Sequence, residues 1–253
     1  MCRHNIVRAC NDLARRLDGV TMSEYAEFTV CLGKVGIPLA NYIIDFRASS
    51  VNETRDRLRS VVRDARELRA VCLPGDTPIA IEMELLAHGF WPAAQLHAMT
   101  YHGSPVEPAV EASAWASAEE RPVIASWLAS HSFGNLDAAD QAAMARATAA
   151  SPHQLVRCVV EGELIAAAMI VEDAASLGLY NLFVSQPHRG RSWGKRVVGW
   201  VVGYAATRQK HVVLQCTDGL VGWYMSQGFE SEARITVMEK RVKHRRSPEW
   251  GDV

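Results

Sequence analysis

From Val184 to Arg196 the chain reads VSQPHRGRSWGKR, which sets Gly190 and Gly194 among the cations Arg189, Arg191, Lys195 and Arg196, just ahead of a helical run. That is the make-up of an anion site. At a helix N-terminus free backbone N–H groups converge and the dipole is positive, and glycine lets the backbone approach phosphate oxygens closely. A solvated basic turn has the same composition, so the loop alone leaves both readings open. Downstream, LQCTDGLVGWYMSQGFE at 214–230 offers Tyr224 as a hydroxyl able to donate a proton. A ring packed at a sheet–helix junction is the plain alternative. His188 within the loop is a further candidate for phosphate. Trp193 and Trp223 flank the two segments, although aromatics of this size ordinarily pack.

Other chemistries find little support. Nine histidines carry neither HExxH nor another ligand spacing, and six cysteines form no CxxC, so no metal site and no disulfide framework is expected. Lys and Arg total 27 against 28 for Asp and Glu, which removes any global field for nucleic acid or an anionic membrane. No stretch of about 18 apolar residues occurs, and the opening MCRHNIVRACNDLARRL is broken throughout by charge. A cytoplasmic protein with reduced thiols, neither nucleic-acid-bound nor membrane-bound, is the expectation.

The elements around these residues follow from periodicity. Helices are predicted over 5–17 and 22–32, a strand over 41–46, and a helix from Ser50, with Glu53 completing a capping box, to Leu68. A strand at 69–73 and a helix over 79–90 ended by Gly89 close a first, α/β unit. Residues 103–113, GSPVEPAVEAS, read as a crossing between units or as an edge strand. Helices follow at 119–131 and 138–149, then QLVRCVV and ELIAAAMIV as a hairpin about Glu161-Gly162, and a third strand at 176–184. A helix from Gly194 to about Arg208 leads to a buried strand at 211–216, which makes a parallel crossover. A short helix at 220–227 and a strand at 233–240 complete an α+β unit with a mixed, mostly antiparallel sheet. The divisions are 1–104, 105–241 and a charged tail at 242–253.

In this setting VSQPHRGRSWG resembles the pyrophosphate loop of the GNAT superfamily of acyl-coenzyme A N-acyltransferases, V-x-P-x-x-R-G-x-G-x-G. Val184, Arg189, Gly190 and Gly194 fit the pattern, and Lys195 opens the helix; Pro187 is shifted by one, and Ser192 stands at the middle glycine. The segment at 214–230 resembles the family's closing Tyr-x-x-x-Gly-Phe, carried by Tyr224, Gly228 and Phe229. The resemblance implies that acetyl-coenzyme A is the acyl donor, held by Leu182, Val184, Arg189, Gly190, Arg191, Ser192, Trp193, Gly194 and Lys195. Leu182 and Val184 would offer backbone groups to pantetheine lying between splayed strands. It also implies Tyr224 as the acid that protonates the departing thiolate, and a small-molecule or peptide amine as acceptor, with a homodimer left open.

Residues 1–104 echo the same elements without the loop, and Leu85 precedes Phe90 as Tyr224 precedes Phe229. They read either as a degenerate GNAT-like half or as an unrelated α/β cap. Glu172 and Asp173 are candidate bases for the amine or simply exposed charges at a hairpin end. Direct attack by a neutral amine is expected, with the oxyanion on a backbone N–H near Val184. A silent coenzyme A-binding or interaction module is the alternative.

Overall fold

The structure, a computed structural model, describes residues 2–33, 37, 39–64, 67–77, 80–104 and 113–240. In chain order it contains α1 (Cys2–Ala14), β1 (Thr21–Glu24), β2 (Thr29–Leu32), β3 (Tyr42–Ile44), α2 (Val51–Asp64), β4 (Arg69–Cys72), α3 (Ile81–Ala87) and β5 (Phe90–Tyr101). There follow β6 (Ser113–Trp115), α4 (Arg121–Ser132), α5 (Ala138–Ala150), β7 (Gln154–Val160), β8 (Glu163–Glu172), β9 (Ser176–Val184), α6 (Trp193–Thr207), β10 (His211–Cys216), α7 (Asp218–Met225) and β11 (Phe229–Lys240). All strands join one mixed sheet in the order β1-β2-β3-β4-β11-β5-β10-β9-β8-β7-β6. The expected α+β architecture is present.

Local signals shaped most elements. Ser50 Oγ accepts from Glu53 N at 3.3 Å at the start of α2. Glu161 and Gly162 adopt φ of 52° and 82° in the β7–β8 turn, the left-handed pair that a two-residue hairpin needs. The helix predicted over 22–32 is instead the hairpin β1–β2, closed by Tyr25 N–H to Phe28 O at 2.9 Å. Its apolar residues fit a helical spacing, but pairing with β3 buries Phe28, Val30 and Cys31 at once, and that tertiary gain prevails.

A second departure is larger. The stretch after Gly89 had no expected element, yet β5 lies at the centre of the sheet. Pro92 obscures it in the sequence; the structure accommodates this missing donor beside a register shift between Val237 and Met238 on β11.

The end of each half has the same order, β4-α3-β5 and β10-α7-β11. Gly89 and Gly228, with φ of 84° and 93°, precede the buried Phe90 and Phe229, each of which opens its strand. These two strands are exchanged. β5 pairs with β10 and β11, while β11 pairs with β4 and β5. The sheet therefore runs unbroken across the boundary placed at 104/105, of which residues 105–112 lie outside the described set, as does the tail at 242–253.

Helices α2, α3, α6 and α7 cover one face, and α1, α4 and α5 the other. Helix α1 is tied to the carboxy-terminal half by a fully buried Asn5. Its amide donates to Val171 O at 2.9 Å and to Asp173 Oδ2 at 3.1 Å, and its carbonyl accepts from the Tyr180 hydroxyl at 2.9 Å.

Candidate functional site

Strands β9 and β10 run parallel and pair from His211↔Ser176 to Leu214↔Leu179, then continue to Cys216 and Val184 without each other. The cause lies on β9. Asn181 takes φ of 52°, and the register with β8 slips between Met169↔Tyr180 and Ala167↔Phe183. Such a bulge bends its strand, and asparagine is among the few residues that accept a left-handed conformation. The expected splay is thus built by one residue.

Below the opening lies a cleft of about 750 Å³. Of the residues expected there, Leu182, Val184, Arg189, Gly190, Ser192, Trp193, Gly194, Lys195 and Tyr224 line it, and so do His188 and Trp223. Arg191 is exposed and lies outside the lining. Phe183, Thr217, Gly219, Leu220 and Gln227 also line it and were not foreseen. Phe183 had a signal in the alternation of β9, but only the bulge decides which of its residues meet the gap.

The loop enters α6 as the anion-site reading requires. Gly190 has φ of 74°, and Ser192, the helix N-cap, has φ of 63°. A left-handed serine costs about 1 kcal/mol or more. Ser192→Gly should therefore raise stability by about 1 kcal/mol and retain coenzyme A binding, as thermal melting and calorimetry would read. Lowered stability would mean the serine side chain has a compensating role. Gly194 packs under Trp223, where an added Cβ would lie 3.3 Å from the ring. Arg196 stacks over Trp193 at 4.4 Å and Arg189 over Phe183 at 4.9 Å, so two of the four cations are braced by aromatic faces.

Tyr224 is buried to 8% exposure, edge-on to Trp223 and Phe229 with ring centroids at 4.7 and 5.5 Å. Burial pushes its hydroxyl above the usual tyrosine range, so it keeps its proton throughout neutral and mildly alkaline pH. Cys216, at the end of β10, is pushed up to about 11, chiefly by burial, and its Sγ sits 3.3 Å from Met99 Sδ.

The two carboxylates weighed as bases lie elsewhere. Glu172 pairs with Lys210 at 2.6 Å, and Asp173 accepts from Ser176 N at 2.7 Å and from Asn5. Both occupy the end of β8 next to Leu177, where β9 begins, and the opening lies at the other end of β9. They hold the hairpin and α1 together.

The corresponding place in the first half is shut. Beyond β3 and β4, Arg47 bridges to Thr77, and Thr77 N–H donates to Phe46 O at 3.1 Å. Arg3 from α1 adds ion pairs to Asp45 at 2.5 Å and Asp76 at 3.0 Å. Where Tyr224 stands in the second half, Leu85 is fully buried. Among the described residues no group of three or more His, Cys, Asp or Glu is placed to hold a metal, and no helix is long and apolar enough to cross a membrane.

A mixed sheet opened between parallel strands, above a basic helix N-terminus with glycines, is the frame that the resemblance of the sequence implies. Residues 115–229 match the Acetyltransferase (GNAT) family, and this part of the chain is a GNAT acetyltransferase domain. No curated protein sequence matches the chain significantly. Solved structures do. A GCN5-related N-acetyltransferase from Kribbella flavida is 16% identical over 96% of each chain, with a TM-score of 0.66. A putative GNAT acetyltransferase from Novosphingobium aromaticivorans is 15% identical over 86% of this chain and 89% of that one, at 0.57. A tandem GNAT protein from the clavulanic acid biosynthesis pathway is 14% identical over 84% and 77%, at 0.58. At such identities the likeness carries the fold alone.

Proposed function

We propose that this chain is an N-acetyltransferase that moves an acetyl group from acetyl-coenzyme A to a primary amine by direct attack in a ternary complex. The observation that carries the reading is the β9–β10 opening, whose exposed strand edge faces a basic helix N-terminus on one side and Tyr224 on the other. An extended chain with two amides pairs with an open strand edge as a peptide does. The pyrophosphate would rest on the α6 N-terminus, with Lys195 and Arg189 supplying charge.

Ser185 N–H donates to Ile165 O on β8, so the N–H of Val184, one residue earlier on an extended strand, points the opposite way, into the opening. It is the donor for the developing oxyanion. The amine nitrogen bonds to the carbonyl carbon, the C–S bond breaks, Tyr224 gives its proton to the leaving sulfur, and the proton that the nitrogen sheds on becoming an amide goes through solvent to restore the Tyr224 hydroxyl. Cys216 is protonated at neutral pH, which favours direct attack over a cysteinyl intermediate. In this reading residues 1–104 are a degenerate GNAT-like half, supported by the exchanged strands, and they bind no coenzyme.

Mixing the protein with acetyl-coenzyme A and a panel of amines, and measuring free thiol, tests the assignment. Amine-dependent release with one equivalent of bound coenzyme per chain is expected. Tight coenzyme binding without turnover on any amine would make the chain a silent coenzyme-binding module, and a second equivalent would assign a site to the first half.

A further inference from the structure

The transferase reading requires a base for the incoming ammonium, and the two carboxylates near β9 are committed to structural pairs. On the face opposite α6 and α7, the outward ring of that strand is Phe183, which borders the cleft. Against it packs the last turn of α4: the His131 ring centroid is 4.6 Å from Phe183 and 4.3 Å from Trp127, while Trp127 and Phe183 meet edge-on at 5.7 Å. Of the three rings Phe183 lines the cleft, and Trp127 and His131 pack behind it on the face away from α6. An amine attacking the thioester carbonyl has to arrive from that side, since the other is taken by the donor.

The hydrogen bonds of His131 fix its tautomer. Nδ1 lies 2.7 Å from the carbonyl oxygen of Trp127 and 3.1 Å from Ser130 Oγ, whose own proton goes to the same carbonyl at 2.9 Å. A carbonyl only accepts, so Nδ1 carries the proton and Nε2 of the neutral ring is left with its lone pair. The side chain is exposed. Arg189, stacked on Phe183, is the charged group facing this cluster across the ring; at the far end of α4 Arg121 donates to the carbonyls of His153 and Ser151, each at 2.8 Å, and Glu120, just before the helix, pairs with Arg157 at 2.8 Å. A histidine packed on Phe183 whose Nε2, in the neutral ring, carries the lone pair is what a general base needs.

Building on the transferase assignment, we propose that His131 is the general base of this site. Its Nε2 takes a proton from the acceptor ammonium, directly or through one water, before the nitrogen attacks, and the Trp127–His131–Phe183 wall selects amines carried on an apolar or aromatic body. The N–H bond breaks toward Nε2, and the imidazolium returns the proton to solvent after the product leaves.

The test uses the whole chain and two variants. His131→Phe keeps a ring between Trp127 and Phe183 and removes the base; His131→Gln keeps polarity without basicity. With an amine on which the unaltered protein releases thiol, both should lose at least tenfold in kcat at pH 7. Coenzyme A affinity by calorimetry should stay within about twofold, and the deficit should narrow as pH climbs toward the amine pKa of about 10.4, because neutral amine then needs no base. Phenethylamine should be preferred over ethanolamine by the unaltered protein. Variants with unchanged kcat and an unchanged pH profile would remove His131 from the mechanism while leaving the transferase standing. Absence of thiol release by the unaltered protein on every amine would sink the transferase and the His131 assignment together.

Discussion

Gly178→Val should lower stability severely, although the residue lies outside the cleft. A Cβ built on Gly178 would sit 1.8 Å from Asn5 Oδ1 and 2.4 Å from a ring carbon of Tyr180, distances no repacking of a buried amide absorbs. Asn5 would have to leave. Its departure strands the Tyr180 hydroxyl and one side of Asp173 and removes a donor from Val171 O. Each buried polar group left unpaired costs about 1 to 3 kcal/mol, and overpacking alone about 1 to 3. A total of about 4 kcal/mol or more is a large share of the roughly 5 to 15 kcal/mol that holds a domain. At roughly 2 to 4 °C per kcal/mol for a chain of this length, the melting midpoint should drop by about 10 °C or more. Gly178→Ala reports the same clash with less bulk, and Asn5→Gly in that background should recover part of the loss because the two sites share one space. A Gly178→Ala protein that melts within about 2 °C of the original would show that α1 is not stapled there.

Tyr224→Phe should lower turnover about a hundredfold at pH 7 while coenzyme A affinity changes little. The ring that packs on Trp223 and Phe229 is retained, and only the hydroxyl is lost. General acids contribute about 10² to 10⁴ in rate, and a thiol with a pKa near 8.5 is already a fair leaving group, which places the effect at the lower end. The pH dependence gives the direction. Below the thiol pKa the departing sulfur benefits from a proton, and above it the free thiolate is tolerated, so the deficit should shrink as pH rises past about 8.5. Burial holds Tyr224 protonated across that range, so the original protein keeps its donor while the variant catches up. Full rate for Tyr224→Phe at pH 7 would reduce the residue to packing and give the protonation to water.

The two groups of residues singled out first were legible for a common reason: each is contiguous in the chain. A turn that hands glycines and cations to a helix N-terminus is built by neighbours, and so is a tyrosine one turn before a Gly-Phe strand entry. The crossover of β9, α6 and β10 followed from the change of period from two to 3.6, and with it the α+β class. The sequence alone therefore determined the loop, the candidate acid and the order of elements in the second half.

Tertiary structure decided what depends on partners distant in the chain. Helical spacing at 22–32 yielded to pairing with β3, because a ladder partner buries Phe28 and Cys31 where an isolated helix would leave them in water. β5 was hidden by Pro92 and became the central strand only through the exchange with β11. The closure of the first half rests on Arg3, Asp45 and Asp76, three residues with no local relation. The candidate base emerged last, since His131 and Phe183 meet only when α4 packs on β9 beyond the Asn181 bulge. Short-range order is written in adjacent residues, whereas the far wall of a site between packed layers exists only once the layers have found each other.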